Sequence, residues 1–365
     1  MLPYLFYDTA ISFEFLNMDR PYRNAGDLLV STCPSVIDAL KLCGAESRII
    51  NGECSDYERF TALCYAMPYL FSHPVRTGTE RILNALGIFE ELSPYCVEDA
   101  WSVINSVIEE GSLTPSSLLS QMNVESVCCT VSPFDKIEKV QNDIDVYPVS
   151  CLLNVSELII SEKNFCDELS AFFSVITSVD SYSAVKLTLD KHYRYVRNSK
   201  RFELEEYYKS WKNGIGLKTD DLNAIITYVT VELAKKLKSS QKPLIIKADC
   251  PSEELDMLYS YLALNGIYPP ATILVCNNAE DFKDLVIAHT TRTPIGMPSI
   301  IPVSKNTNAL FKVFPAGFTL QYQEGVRDVV TLAAAMTEAD SLSELYGEDI
   351  GEGINYGNAK NIFHI

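Results

Sequence analysis

The feature of this chain that most limits its fold is an alternation, beginning at residue 124, of short apolar segments with amphipathic helical ones. The apolar segments are rich in β-branched residues and too short for typical helices, so we predict that they form buried strands. Seven are predicted: Val124–Val131, Val146–Leu152, Ala184–Leu189, Leu244–Ala248, Thr272–Cys276, Ile295–Pro302 and Phe318–Tyr322. Short buried strands joined through helices indicate an α/β protein with a parallel sheet.

A further strand is predicted at the start of the chain. Tyr4–Tyr7 is short and apolar, and it brings the predicted strands to eight, the number in a (β/α)8 TIM barrel. The intervening helices include one over Leu222–Leu237, with Thr219 predicted as its N-cap, and one that enters at Ser252 and ends at Asn265-Gly266. A doubly wound open sheet is the alternative that the pattern leaves open.

The stretch from about residue 35 to residue 122 contains hardly a strand candidate. Apolar residues of Ser55–Phe71 fall on one helical face, and Ser55 with Glu58 forms the pattern of a capping box. Further helices are predicted near Gly78–Leu86 and Val97–Glu110. We therefore predict three parts: 1–33 with the first strand and its loop, 34–123 as a helical insertion beside the barrel mouth, and 124–365 as the remaining barrel with a C-terminal helix.

Composition excludes several classes of partner. The formal net charge is −18, whereas nucleic acids and anionic membrane surfaces attract basic proteins. No run of eighteen apolar residues occurs, so no membrane span is expected. Eleven cysteines without a CxxC pair or a basic leader predict free thiols and a cytoplasmic protein. A homo-oligomer is left open.

Several motifs in the first third and at the C-terminus resemble one known family. Ser35–Gly52 is similar to the segment of uronate (glucuronate) isomerases that ends in Gly-Val-Asp-Glu-x-x-Ile-Thr-Gly. Gln121-Met-Asn-Val124 and Thr130-Val-Ser-Pro-Phe-Asp135 resemble its Gln-Met-Asn-Val and Thr-Thr-Asp-Asp-Pro-x-Asp. Ser55–Phe60 is similar to the family's next helix, and Asn355–Phe363 is similar to its terminal Asn-Asn-Ala-Lys-x-Tyr-Phe.

The resemblance implies an amidohydrolase-like barrel, as in metal-dependent hydrolases, with a helical insertion. It also implies the aldose–ketose isomerisation of D-glucuronate to D-fructuronate. That reaction moves a proton between C1 and C2, and a divalent metal polarises the carbonyl and the adjacent hydroxyl.

The chain departs from the family at the positions that hold this metal and the substrate. The family's His-x-His after the first strand is replaced by Tyr7-Asp-Thr-Ala10, and its strand-five histidine corresponds to Lys247. The family's His-Tyr corresponds to Pro34-Ser35, and its strand-three arginine falls at Cys151–Leu153. Its strand-eight Asp falls at Tyr322–Glu324. We therefore expect no metal and no cofactor, and an isomerase activity that is lost or altered.

The best candidates for remaining catalytic residues follow strands four and five. Asp190 and His192 resemble the family's Ser-Asp-His-Gly, and a carboxylate beside an imidazole can orient a base. Lys247 could attract a sugar carboxylate or form an imine. The structural alternatives are a polar, solvated loop at Asp190–His192 and a lysine paired with a neighbouring acid at Lys247.

Asp249, Glu324 and Arg327 are predicted to bind the substrate, since they follow strands five and eight. For Glu324 the alternative is a carboxylate placed favourably at a helix N-terminus. Two function classes remain: an isomerase of small sugar acids with an altered site, and a non-catalytic homologue that binds a sugar acid or a protein partner.

Overall fold

The structure is a computed structural model, and it describes residues 3–6, 9–71, 73–131, 137, 142–152, 181–197, 206, 209–210, 213, 218–248, 250–266, 272–276, 300–304 and 326–346. The chain divides into two compact units. The first comprises Met1–Thr130, Glu138–Tyr147 and Tyr322–Lys360. The second comprises Val131–Ile137, Pro148–Gln321 and Asn361–Ile365.

The described strands agree closely with the predicted ones. They are β1 Tyr4–Phe6, β2 Val124–Val131, β3 Asp145–Leu152, β4 Ala184–Leu189, β5 Leu244–Ala248, β6 Thr272–Cys276 and β7 Ile300–Ser304. Four of these match the predicted bounds at both ends, while β7 was predicted from residue 295. The predicted eighth strand, Phe318–Tyr322, lies outside the described residues.

Every described pairing within the two units is parallel. In the first unit β1 pairs with β2, with Tyr4 opposite Val124. In the second unit β3 pairs with β4, β4 with β5, β5 with β6 and β6 with β7. Neighbouring strands in these pairs thus follow one another in chain order, an arrangement compatible with a crossover connection between successive parallel strands. The parallel sheet predicted from the alternation is confirmed.

The first unit is rich in helices. The α-helices among its described residues are α1 Phe13–Met18, α2 Pro34–Leu42, α3 Ser47–Asn51, α4 Asp56–Ala66, α5 Pro74–Ala85, α6 Val97–Gly111, α7 Pro115–Gln121 and, near the C-terminus, α10 Val329–Tyr346. Helices α2 to α7 share this unit with β1 and α10. The boundaries of an insertion at 34–123 stay a prediction.

Helix starts in this unit follow local capping chemistry. At α4 the amide of Glu58 donates to Ser55 Oγ at 3.2 Å, and the amide of Ser55 donates to Glu58 Oε2 at 2.9 Å, so the predicted capping box is confirmed. Helix α5 begins at Pro74, four residues before the predicted Gly78. There His73 Nδ1 accepts the amide of Val75 at 3.2 Å, and proline suits the first helical position.

The second unit contains α8 Thr219–Ser239 and α9 Ser252–Leu264. Helix α8 starts at Thr219, and the N-cap is Lys218, so the predicted cap was wrong by one residue. The carboxylate of Asp221 accepts the Lys218 amide at 3.2 Å, which is the bond that the third helical residue contributes to a capping box. Helix α9 ends as predicted, with Gly266 in the left-handed region at φ 59°. Among the described helices, none is both long and apolar enough to cross a membrane.

Candidate functional site

Asp190 immediately follows β4 and is buried, with 5% of its surface exposed. Its Oδ1 accepts the backbone amide of His192 at 2.9 Å, and its carbonyl accepts the amide of Tyr193 at 3.0 Å. Its Oδ2 is buried and has no hydrogen-bond partner in the described part of the chain. A buried carboxylate oxygen without a partner is costly, so this atom marks a place for a further donor.

His192 is exposed, and its contact with Asp190 runs through the backbone amide. Asp190 therefore shapes the turn after β4, as aspartate side chains often do by binding an amide two residues on. The geometry provides no ring-to-carboxylate hydrogen bond of the kind that would orient a base. The assignment of His192 as a catalytic residue stays a prediction.

The loop after Asp190 is held by α8 and α9, the two helices described in the second unit. Tyr193 is fully buried, and its hydroxyl lies 3.0 Å from Thr227 Oγ1 of α8. Burial raises the pKa of Tyr193 far above its ordinary value. The amide of Arg194 donates to Asn223 Oδ1 at 3.2 Å, and that of Tyr195 to Glu254 Oε2 at 2.7 Å. A loop with these anchors holds Asp190 in one position.

Lys247 lies in β5, one strand from Asp190. The register places Thr188 opposite Lys247 and Leu189 opposite Ala248, so Asp190 and Lys247 belong to the same carboxyl edge of the sheet. Active sites of parallel barrels are built at that edge. The side chain of Lys247 and all of Asp249 lie outside the described residues.

Arg327 is exposed and lies near the start of α10 in the first unit. It forms an ion pair with Asp38 of α2 at 2.9 Å. The pKa of the Asp38 carboxyl is lowered, most by its hydrogen bond from Lys41 and next by the one from Arg327. Arg327 is therefore already paired with a carboxylate, while Glu324 lies outside the described residues.

Sequence reasoning missed the neighbouring Asp328. This residue is buried, and its Oδ1 caps α10 by accepting the amide of Thr331 at 2.9 Å. Its Oδ2 accepts the amide of Ser35 at 2.7 Å, near the start of α2. The Asp-x-x-Thr spacing before an apolar run is the signal that could have indicated the cap. Only the fold could show that the second oxygen reaches α2.

The end of β1 is where the family's His-x-His pair would hold a metal. Here Thr9 is buried, and its hydroxyl donates to the carbonyl of Cys128 at 2.8 Å. Ala10 has no ligand atom in its side chain, and Tyr7 and Asp8 lie outside the described residues. No group of three or more His, Cys, Asp or Glu residues is placed to hold a metal within the described ranges. The described residues therefore do not fit the family's metal.

A cavity of about 720 Å³ lies in the first unit, along the segment after β1. Its wall includes Phe15, Met18 and Pro21 beside the charged residues Glu14 and Arg20. No motif in the sequence pointed to this cavity, because its lining comes from a short helix and the irregular segment after it, which have no regular periodicity.

The parallel strands in chain order define the chain as a barrel-type α/β protein. Its fold matches the crystal structures of uronate isomerase from Thermotoga maritima and glucuronate isomerase from Caulobacter crescentus. The first has a TM-score of 0.72 at 14% identity, covering 99% of this chain and 94% of that one. The second has a TM-score of 0.71 at 12% identity, covering 100% of this chain and 91% of that one. The (β/α)8 barrel fold is thereby established.

The sequence comparisons identify the family. The glucuronate isomerase family profile matches residues 1–201, and the chain belongs to this family. The uronate isomerase of Caldanaerobacter subterraneus subsp. tengcongensis is 24% identical over 249 residues, which cover 60% of this chain and 52% of that protein. The chain spans about half the length of the curated relatives it matches.

Proposed function

We propose that this chain is a uronate isomerase homologue whose isomerase activity is lost or altered. The proposal rests on which residues follow β1, where the family pattern has its His-x-His pair. Thr9 donates its hydroxyl to the Cys128 carbonyl there, and Ala10 follows it. Neither residue supplies the imidazole that the family pattern has at this position.

The chemistry explains why this change matters. Aldose–ketose isomerisation needs the carbonyl and the adjacent hydroxyl to be polarised while a base moves the proton. A divalent cation contributes several kcal/mol to that polarisation. Each 1.4 kcal/mol is about tenfold in rate, so losing the cation without a substitute slows the reaction by orders of magnitude.

A second candidate function is a sugar-acid isomerase with a rearranged, metal-free site. The observation that favours it is the buried Asp190, whose Oδ2 has no partner among the described residues and whose strand end adjoins that of Lys247. A carboxylate and an ammonium group at one strand edge could move a proton and attract the anionic substrate. A lone ammonium is a weaker polariser than a chelated divalent ion, so we place this function second.

An NMR time course with D-glucuronate at high protein concentration tests the proposal, with and without added zinc or manganese. We expect no fructuronate at rates typical of enzymes in either condition. Turnover of about one per second without metal, within the usual range for enzymes, contradicts the proposal. Loss of that turnover in Lys247→Ala but not in Lys191→Ala, an exposed lysine in the loop after β4, establishes the second function instead.

The same proposal includes a cytoplasmic location and a small sugar acid as ligand. The eleven cysteines support the location, and the eight cysteines whose side chains the structure describes are free thiols. The net charge of −18 supports the exclusion of nucleic acid and anionic membranes. Size-exclusion chromatography with light scattering tests whether a homo-oligomer forms.

A further inference from the structure

The start of α4 lies close to the middle of α6 in the first unit. Asp56, the first residue of α4, accepts the side-chain amide of Asn24 at 3.0 Å. The next residue in the chain after Asn24 is Ala25, and its backbone amide donates to Asn105 Oδ1 of α6 at 2.8 Å. These two residues therefore connect position 56 of one helix with position 105 of the other.

Further along α4, the contacts move back toward the start of α6. Phe60 is one turn further along α4 and packs against Trp101, which is one turn earlier in α6, with ring centroids 5.4 Å apart. The two helices are therefore antiparallel where they meet. One more turn along α4 is Cys64, and the residue that corresponds to it at the start of α6 is the N-cap, Cys96. The packing of the two helices thus brings these cysteines together.

The two thiols lie in different environments. Cys64 is fully buried, whereas Cys96 is half-buried. The pKa of Cys64 is raised to about 12, most by burial and next by the charge of Cys96, in agreement with the proximity of the two groups. Small molecules in the solvent therefore reach Cys96 first, and Cys64 lies behind it.

The sulfur of Cys96 is surrounded by hydrogen-bond donors. The amide of Ser93 donates to Cys96 Sγ at 3.2 Å, and the hydroxyl of Ser93 lies 3.3 Å from the same sulfur. The thiolate is the nucleophilic form of cysteine, and reactive cysteines are often found at helix N-termini. Cys96 thus combines access from the solvent with a partner thiol and with donors that suit a thiolate.

We propose that Cys64 and Cys96 form a reversible disulfide when the protein meets hydrogen peroxide. The Cys96 thiolate attacks one peroxide oxygen and breaks the O–O bond, which gives a sulfenic acid and a hydroxide that takes up the thiol proton as water. Cys64 then attacks the Cys96 sulfur. The S–S bond forms, the S–O bond breaks, and the departing hydroxide leaves with the Cys64 proton as a second water. Both sulfurs are oxidised and both peroxide oxygens are reduced.

The disulfide fastens the start of α6 to α4 and keeps the Cys96 sulfur from irreversible oxidation to a sulfinic or sulfonic acid. A thiol reductant restores the pair by thiol–disulfide exchange. Transient disulfides of this kind occur in reducing compartments, where they sense oxidants. The proposal does not depend on isomerase activity, because it uses only residues outside the predicted catalytic set.

Peptide mapping of the full chain under non-reducing conditions tests the proposal. After treatment with hydrogen peroxide, remaining thiols are blocked with iodoacetamide in urea, and the protein is digested with trypsin and a glutamate-specific protease. Cleavage leaves Cys64 as the single cysteine of Phe60–Arg76 and Cys96 as the single cysteine of Leu92–Glu98. We expect mass spectrometry to find these peptides linked after peroxide treatment, and separate after dithiothreitol. Untreated protein should give both peptides in alkylated form.

Single variants test the order of the two steps. Cys64→Ala should lose the linked peptide and keep Cys96 as a sulfenic acid, which dimedone traps. In Cys96→Ser the buried Cys64 should stay reduced at the same peroxide dose. Cys43→Ser removes an exposed cysteine at the end of α2 and should leave the linkage unchanged. Circular dichroism shows whether each variant is folded, and Cys96→Ser, at the less buried position, provides the test if Cys64→Ala is not.

Several outcomes overturn the proposal. The first is the absence of the linked peptide from peroxide-treated native protein, and the second is a linkage of Cys96 to a different cysteine. A Cys96 sulfenic acid that accumulates in the native protein without a disulfide also contradicts it, because Cys64 would then be out of reach. A linkage that forms only when peroxide is added in urea assigns the disulfide to the unfolded chain and overturns it as well.

Discussion

Gly78 in α5 packs directly against the carbonyl oxygen of Val330 in α10. A Cβ at position 78 would lie 2.0 Å from that oxygen and 2.9 Å from the carbonyl carbon. The neighbouring atoms belong to the backbone of a helix, so they cannot move aside as the end of a flexible side chain would. The close approach of the two helices therefore requires glycine at this position.

Gly78→Ala should lower the free energy of unfolding by about 1–3 kcal/mol, because the added methyl group forces the two helices apart. Urea denaturation followed by circular dichroism measures the effect. Gly111→Ala is a matched control, since a Cβ added there, at the end of α6, would have no neighbouring atom within 4 Å. A stability of Gly78→Ala equal to that of the control would show that the helices do not pack this closely.

Asp328→Ala should lower the free energy of unfolding by about 2–4 kcal/mol. The substitution removes the cap of α10 and leaves the buried amide of Ser35 without its acceptor. Arg327→Gln removes only the exposed ion pair with Asp38 and should change stability by less than about 1 kcal/mol. Equal losses in the two variants, measured by urea denaturation, would contradict the role assigned to Asp328.

The buried Tyr193 should make stability depend on pH in the alkaline range. Its pKa is raised by burial, so its neutral form is favoured in the folded state. The stabilisation that results from this raised pKa is fully present below the ordinary tyrosine pKa of 10.0 and is lost as the pH rises above that value. The expected slope is about 1.4 kcal/mol per pH unit for one proton. Denaturation between neutral and strongly alkaline pH measures it.

Tyr193→Phe tests the assignment, because phenylalanine keeps the ring and removes the titrating group. Because the variant lacks the hydrogen bond to Thr227, its free energy of unfolding at neutral pH should be about 1 kcal/mol lower. Above pH 10 its stability should fall less steeply than that of the native protein. Tyr95→Phe serves as control, since Tyr95 is 97% exposed. A native-like alkaline slope in Tyr193→Phe would assign the titration to other groups.

The purified protein should contain no stoichiometric divalent metal. At the end of β1 Thr9 uses its hydroxyl in a hydrogen bond to Cys128, and the described residues provide no three-ligand group. Elemental analysis by plasma mass spectrometry after brief chelation measures the content. About one zinc or manganese per chain that resists chelation would show that a site is formed by other residues.

Local patterns in the sequence determined most of the described secondary structure. The alternation of apolar and helical segments predicted β2, β4, β5 and β6 with their observed bounds. The Ser55–Glu58 spacing predicted the capping box of α4. These features depend on residues within a few positions of one another, so the chain carries the necessary information locally. The family motifs likewise identified the glucuronate isomerase family, which the profile match confirms.

The tertiary structure alone decided which distant groups meet. Asp328 and Ser35 are joined although 293 residues separate them, and Gly78 and Val330 touch across two helices. The sequence predicted Asp190 and Lys247 as site residues, but only the register of β4 and β5 brings their strand ends to one edge. The cavity beside Arg20 was not predicted at all. Such contacts depend on how whole elements pack, and spacing along the chain carries no signal for that packing.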